Sequence, residues 1–167
     1  MGMKKLPTTL LHWGAAALLA VCLSAAGCAW NQPFPVLRGE PLTCAGMTYR
    51  VLGTTWAHKL EVGGQTVVPT HNFLLVRVEV TNAGVADLPA MWLPQVWLID
   101  EHKEVFPPSP LTERLEGGLR GSPDAWKPTE TLTGTLVYDV PQVLYWLQPE
   151  GCPRLGLGNW WPERFGD

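Results

Sequence analysis

Residues 73–81 read FLLVRVEVT, with Leu74, Val76, Val78 and Val80 on one side and Arg77, Glu79 and Thr81 on the other. A period of two predicts a β-strand with one buried and one wet face. Asn82-Ala83-Gly84 supplies the turn residues that end it. The alternation returns downstream, where Leu132, Gly134, Leu136, Tyr138 and Val140 oppose Thr133, Thr135, Val137 and Asp139. Between these two runs, Val96-Trp97-Leu98-Ile99 predicts a strand, followed by a turn over Asp100-Glu101-His102-Lys103 and a short strand around Val105-Phe106. Pro107, Pro108 and Pro110 stop pairing there. Upstream, residues 48–55 form a β-branched-rich run, and Leu60-Glu61-Val62 precedes a Gly63-Gly64 turn. Residues 111–128 predict a long connection with at most one helical turn, at 112–116. Short strands at this turn spacing predict an all-β sandwich or barrel over roughly residues 44–152.

The first 27 residues have a different pattern. Lys4 and Lys5 precede an apolar stretch over 10–23, and Ser24-Ala25-Ala26-Gly27 follows. This is the layout of a secretory signal peptide, and it falls short of the ~20 residues that cross a bilayer core. An uncleaved membrane anchor is the alternative. Ala25-Ala26-Gly27-Cys28 resembles the bacterial lipobox, in which small residues precede a cysteine that accepts lipid. Ala25 stands where most lipoboxes carry Leu. Lipidation at Cys28 is therefore expected, the alternative being ordinary cleavage near Ala26 or Gly27. At ~0.8 kcal/mol per buried CH₂, two or three acyl chains anchor stably where one does not. The chain is then expected on the outer face of a bacterial membrane, in the periplasm or at the cell surface. Residues 28–43 contain three of the prolines and read as a tether of at most about 45 Å. Trp30 and Phe34 within it are expected to dock either on the domain or at the lipid interface.

Composition sharpens this reading. Apolar residues reach 46% and charged residues only 16% of 167, enough to bury a core and incompatible with wholesale disorder. The 17 Gly and 16 Pro argue against a helical bundle. A formal charge of −3 gives no basic footprint for nucleic acid, and losing Lys4 and Lys5 with the leader makes the remainder more acidic. Such a surface is expected to hang from its lipid rather than lie on anionic headgroups. Of four cysteines, Cys22 lies in the leader and Cys28 is the candidate acceptor, which leaves Cys44 and Cys152. An even pair in an oxidising compartment predicts a disulfide. It would close a loop of about 100 residues, worth ~4.7 kcal/mol on the chain-entropy account. Two reduced thiols are the alternative.

Three stretches, FLLVRVEVTNAG, VWLIDEHKEVFPPS and KPTETLTGTLVYDVP, resemble an uncharacterised family of bacterial extracellular immunoglobulin-like domains. Members are often lipoproteins and share a fold with the mycobacterial immunoprotective secreted antigen. The resemblance spans roughly residues 47–147. It implies an immunoglobulin-like antiparallel β-sandwich behind an N-terminal signal helix, and it brings no catalytic residues. Its closing motif falls on Gly134, Leu136, Val137, Tyr138, Asp139, Val140 and Pro141. The chain departs from the family at the turn 100–103, where a glycine is common, and in its abundance of tryptophan. The bacterial intracellular proteinase-inhibitor type of sandwich has similar strand patterns but fits an exported chain poorly.

Candidate chemistry is sparse. There is no G-x-S-x-G elbow, H-E-x-x-H, P-loop or Rossmann glycine pattern, and His58, His71 and His102 are isolated in sequence. No enzyme activity and no cofactor are expected. Asp100, His102 and Glu104 crowd one turn and form a candidate divalent-metal site, against the plainer reading of a solvated acidic turn. All nine tryptophans except Trp13 lie beyond the leader, more than one sandwich core needs. Trp92, Trp97, Trp160 and Trp161 are candidate ligand-binding residues, because exposed tryptophan suits interfaces and glycan stacking. The alternative is that Trp160-Trp161, in the Trp-rich tail 153–167, packs back across a sheet edge. Together these readings predict a lipid-anchored binding or envelope-interaction module whose partner is an envelope protein or glycan. A metal or small-ligand carrier using 100–104 is the second reading.

Overall fold

The computed structural model of the chain describes residues 39–157. The expected leader 1–27 and signal helix, Cys28, the expected tether as far as residue 38, and the tail from residue 158 with Trp160 and Trp161 lie outside the described residues. In chain order the strands are β1 (Leu42–Cys44), β2 (Met47–Ala57), β3 (Leu60–Val62), β4 (Gln65–Val67) and β5 (Asn72–Asn82). They continue with β6 (Val96–Asp100), β7 (Val105–Phe106), the helical turn α1 (Leu111–Arg114), β8 (Thr131–Val140), β9 (Tyr145–Pro149) and β10 (Leu155–Gly156). One antiparallel sheet runs β1-β2-β5-β8, a second runs β10-β9-β6-β7, and β3-β4 forms a separate hairpin. Gly63 and Gly64 close that hairpin at φ 60° and 78°, the left-handed pair that a tight two-residue turn requires.

This is the antiparallel β-sandwich that the strand pattern predicts. Leu74, Val76, Val78 and Val80 of β5 face inward beside Leu136, Tyr138 and Val140 of β8. Across the core stand Val96 and Leu98 of β6, Leu147 of β9 and Leu155 of β10. The strands reach further than the expected span 44–152. β1 begins inside the stretch read as tether, and β10 lies inside the stretch read as tail.

In β2 the inward positions are Met47, Tyr49 and Val51, but Thr54 and Trp56 then oppose core residues Val76 and Leu74. A register shift between Val51 and Gly53 accounts for the change from odd to even. One extra residue exchanges the faces of a strand, and a bulge is how the chain absorbs it. Leu52, the inserted residue, is exposed.

The long connection 107–130 protects the sheet edge left free by β8. Ser109 N donates to Val137 O (2.7 Å), Val137 N donates to the Thr112 hydroxyl (2.9 Å), Thr135 N to Gly117 O (2.9 Å) and Leu119 N to Thr135 O (3.0 Å). These bonds fill a row of donors and acceptors that would otherwise invite another strand. The approach demands glycine at Gly134, where a Cβ would stand 2.4 Å from Leu119 Cα.

The connection also carries Trp126, fully buried (0% exposed), into the core. Its indole N–H donates to Glu130 O at 2.8 Å. Buried Asn82 locks this corner. Its Nδ2 donates to Ala86 O (3.0 Å) and Trp126 O (2.9 Å), and its Oδ1 accepts from Gly84 N (3.0 Å). The main chain of Asn82 bonds Glu130 O and Thr129 N as well. Cys44, ending β1, is bonded to Cys152 between β9 and β10, with Cα atoms 5.8 Å apart. The predicted bridge therefore links the two sheets at one end of the sandwich.

Candidate functional site

The acidic turn 100–104 does not assemble a metal centre. Asp100 is buried, and its Oδ1 accepts from Glu104 N at 2.8 Å while its carbonyl accepts from Lys103 N. The carboxylate holds the hairpin between β6 and β7 closed instead of facing a ligand. His102, 76% exposed, approaches Asp100 Oδ2 only to 3.6 Å. Among the described residues no group of three or more His, Cys, Asp or Glu is placed to hold a metal ion. Asp100, His102 and Glu104 are thus not grouped as ligands in this arrangement: the main chain claims the Asp100 carboxylate first. Lys103 adopts φ 68° here, which explains why a glycine suits this turn.

The described tryptophans do not form one patch. Trp126 is core, and Trp92 is half-buried against it, ring centroids 5.9 Å apart and tilted 44°. Trp97 lies on the opposite surface, because its neighbours Val96 and Leu98 are the inward residues of β6. Trp97 pairs with Gln148, and Ile99 with Trp146, so Trp97 and Trp146 sit diagonally on the outer face of the second sheet. The Arg154 guanidinium lies 5.7 Å from the Trp146 ring, a cation–π distance. Trp56 and Trp146 are also half-buried. Trp92 and Trp97 therefore belong to different surfaces.

The motif residues of the sequence serve the scaffold. Tyr138 is fully buried and donates its hydroxyl to Val96 O at 3.1 Å, a bond that crosses from one sheet to the other. Burial raises its phenol well above the ordinary tyrosine range. Asp139 accepts from Thr70 N (2.7 Å) and His71 N (2.9 Å) and so fixes the entry to β5. Burial pushes its carboxyl upward, but those hydrogen bonds and nearby His71 outweigh it and hold the carboxyl below its usual range.

Hollows among the described residues include one of about 340 Å³ at Asp124, Lys127 and Glu130 on the long connection, and two beside the core. A crevice under Trp56, Val143 and Leu144 offers only about 10 Å³, room for roughly one water. At the disulfide end lies a groove of about 370 Å³, within the ~300–1,000 Å³ of small-molecule sites. Met47 and Tyr49 of β2 line one side, Trp92 and Pro94 another, and Gln95 and Glu150 complete it. Tyr49 is 4% exposed, and its phenol is pushed up to about 12, by burial first and then by the Glu150 carboxylate. Glu150 N donates to Gln95 O at 3.0 Å, which holds the carboxylate's residue beside β6. Of the described tryptophans singled out from sequence, Trp92 belongs to this groove and Trp97 does not. Tyr49, Gln95 and Glu150 carry no local motif, and only folding brings them together.

No known family pattern and no curated protein matches the chain. Its fold is similar to that of a conserved hypothetical protein from Bacillus anthracis, at 15% identity and a TM-score of 0.57, over 72% of this chain and 94% of that one. The yjhA protein from Bacillus subtilis gives 19% identity, a TM-score of 0.49 and coverage of 67% and 78%. An uncharacterized β-sandwich protein from Clostridium difficile 630 gives 9%, 0.48, and 73% and 92%.

Proposed function

We propose that the protein is an exported, lipid-anchored binding module of the bacterial cell envelope, with Cys28 as its lipid acceptor. The observation that carries this reading is the Cys44–Cys152 bond. Stable disulfides belong to oxidising compartments. The paired residues are the two cysteines that remain once the leader and the lipobox-like Cys28 are set aside. Binding rather than catalysis is favoured because Asn82, Tyr138 and Asp139 have their polar groups engaged in holding the chain. Mixed aromatic and polar groups instead line an open groove. The partner class remains that of envelope proteins, glycans or small ligands, reached on a tether from the membrane, and a net charge of −3 disfavours nucleic acid.

Intact mass spectrometry of the protein from its native membrane fraction, with and without reduction, tests this. The expected mass starts at Cys28, carries acyl groups, and gains two hydrogens on reduction of the one bridge. An unmodified chain that retains Met1 contradicts both export and anchoring.

A further inference from the structure

We propose that the groove between Tyr49, Trp92 and Glu150 is a binding site for a small organic ammonium ion, either a protonated amine or a quaternary ammonium. The inference deepens the binding-module reading and rests on it. Three features of the groove select this chemistry. Among the described residues that line it, Glu150 alone is formally charged. The lining therefore disfavours an anion and offers a cation a carboxylate. The half-buried Trp92 ring adds an aromatic quadrupole, which attracts ammonium groups and tolerates their methylated forms, while Tyr49, only 4% exposed, stays part of the core wall. Leu93 and Pro94 supply apolar surface that suits the alkyl part of such an ion and not a hydrated metal. One carboxylate is also too few ligands for a divalent cation.

The groove is preorganised. One wall, Ala45, Met47 and Tyr49, comes from the first sheet and the turn after β1, while Gln95 and Glu150 flank β6 and β9 of the second. The Cys44–Cys152 bond joins these walls next to Ala45 and two positions beyond Glu150. Trp92 is seated on Trp126. Holding recognition groups in place before the ligand arrives reduces what must be ordered on binding. The bridge thereby gains a role beyond stability.

Equilibrium dialysis of the full chain, in a non-ionic detergent, against radiolabelled choline tests the assignment. Saturable one-to-one binding is expected, with the neutral isostere 3,3-dimethylbutan-1-ol competing poorly. Glu150→Gln, at an exposed side chain with no hydrogen bond essential to the fold, should weaken choline about fivefold or more. Glycerophosphocholine serves as a second competitor. Competition equal to choline identifies a lipid headgroup as the source of the ammonium, and weaker competition identifies a free cation. Absence of saturable choline binding, equal competition by the neutral isostere, or unchanged affinity in Glu150→Gln overturns the assignment. None of these outcomes touches the intact-mass test, so failure of the groove and failure of the anchored-module reading are distinguishable.

Discussion

Two regions of this sandwich use polar side chains in opposite ways. Along β5 and β8, Asn82, Tyr138 and Asp139 turn their polar groups onto the protein's own main chain. At the disulfide end, Tyr49, Gln95 and Glu150 line an open groove of about 370 Å³. The first region carries the strand motifs read from the sequence, and the second carries none of them. Those motifs therefore speak for the fold, and any binding specificity must be sought in the second.

The harshest way to break the comparison is Trp126→Ala, because Trp126 belongs to both regions. Its side chain fills the core, carries the indole bond to Glu130 O and supports Trp92 at the groove. A loss of about 3–5 kcal/mol is expected in denaturant unfolding, together with loss of the groove's shape. A loss below 1 kcal/mol would mean that the corner does not hold the sandwich as described.

A smaller effect separates the regions by pH. Burial, aided by Glu150, raises Tyr49 to about 12, and burial, aided by Asp100 and Glu104, raises Tyr145 to about 12. Between about pH 10 and 12 the unfolded chain releases these phenolic protons while the folded chain keeps them. Their contribution is thus fully present below pH 10 and is lost as pH rises, by at most about 1.4 kcal/mol per unit for each tyrosine. Tyr49→Phe should remove one share of that alkaline slope, and Tyr145→Phe the other, in urea titrations at pH 9 and 11. Equal slopes in the variants and the parent would contradict the burial of these phenols.

The smallest effect runs in the stabilising direction. Lys103 is exposed and held at φ 68°, a left-handed conformation that costs a side-chain-bearing residue roughly 1 kcal/mol. Lys103→Gly should raise stability by up to about 1 kcal/mol and leave choline affinity unchanged, because the turn lies apart from the groove's lining.

Much of the scaffold was legible from pattern, and the reasons are local. β5 and β8 alternate apolar with polar residues, and Cys44 and Cys152, which the sequence reading paired by setting Cys22 and Cys28 aside, are bonded. β9 escaped because its outward residues include Trp146, so the contrast with inward Tyr145 and Leu147 disappears. The reversal of faces in β2 escaped although Gly53, a glycine inside the strand run, stands at the bulge and is the kind of residue that marks one. The acidic turn misled because charge in sequence does not say whether a carboxylate faces solvent or its own main chain, and Asp100 does the latter. The groove was invisible for a different reason. Tyr49, Trp92 and Glu150 come from three separate stretches and meet only when the two sheets close.

The division between scaffold and groove is tested most directly by measuring thermal stability and choline affinity together in Asp139→Asn and Glu150→Gln. Asp139→Asn should lower stability by about 1 kcal/mol near neutral pH, since it weakens charge-assisted bonds to Thr70 N and His71 N. That difference from the parent should vanish as pH falls through the lowered Asp139 value, because the carboxylate's contribution exists only while it is ionised. Its choline affinity should match the parent's. Glu150→Gln should show the reverse, unchanged stability with weakened choline binding. If Asp139→Asn loses choline affinity at full stability, or Glu150→Gln loses stability with affinity intact, the two regions have been assigned the wrong roles.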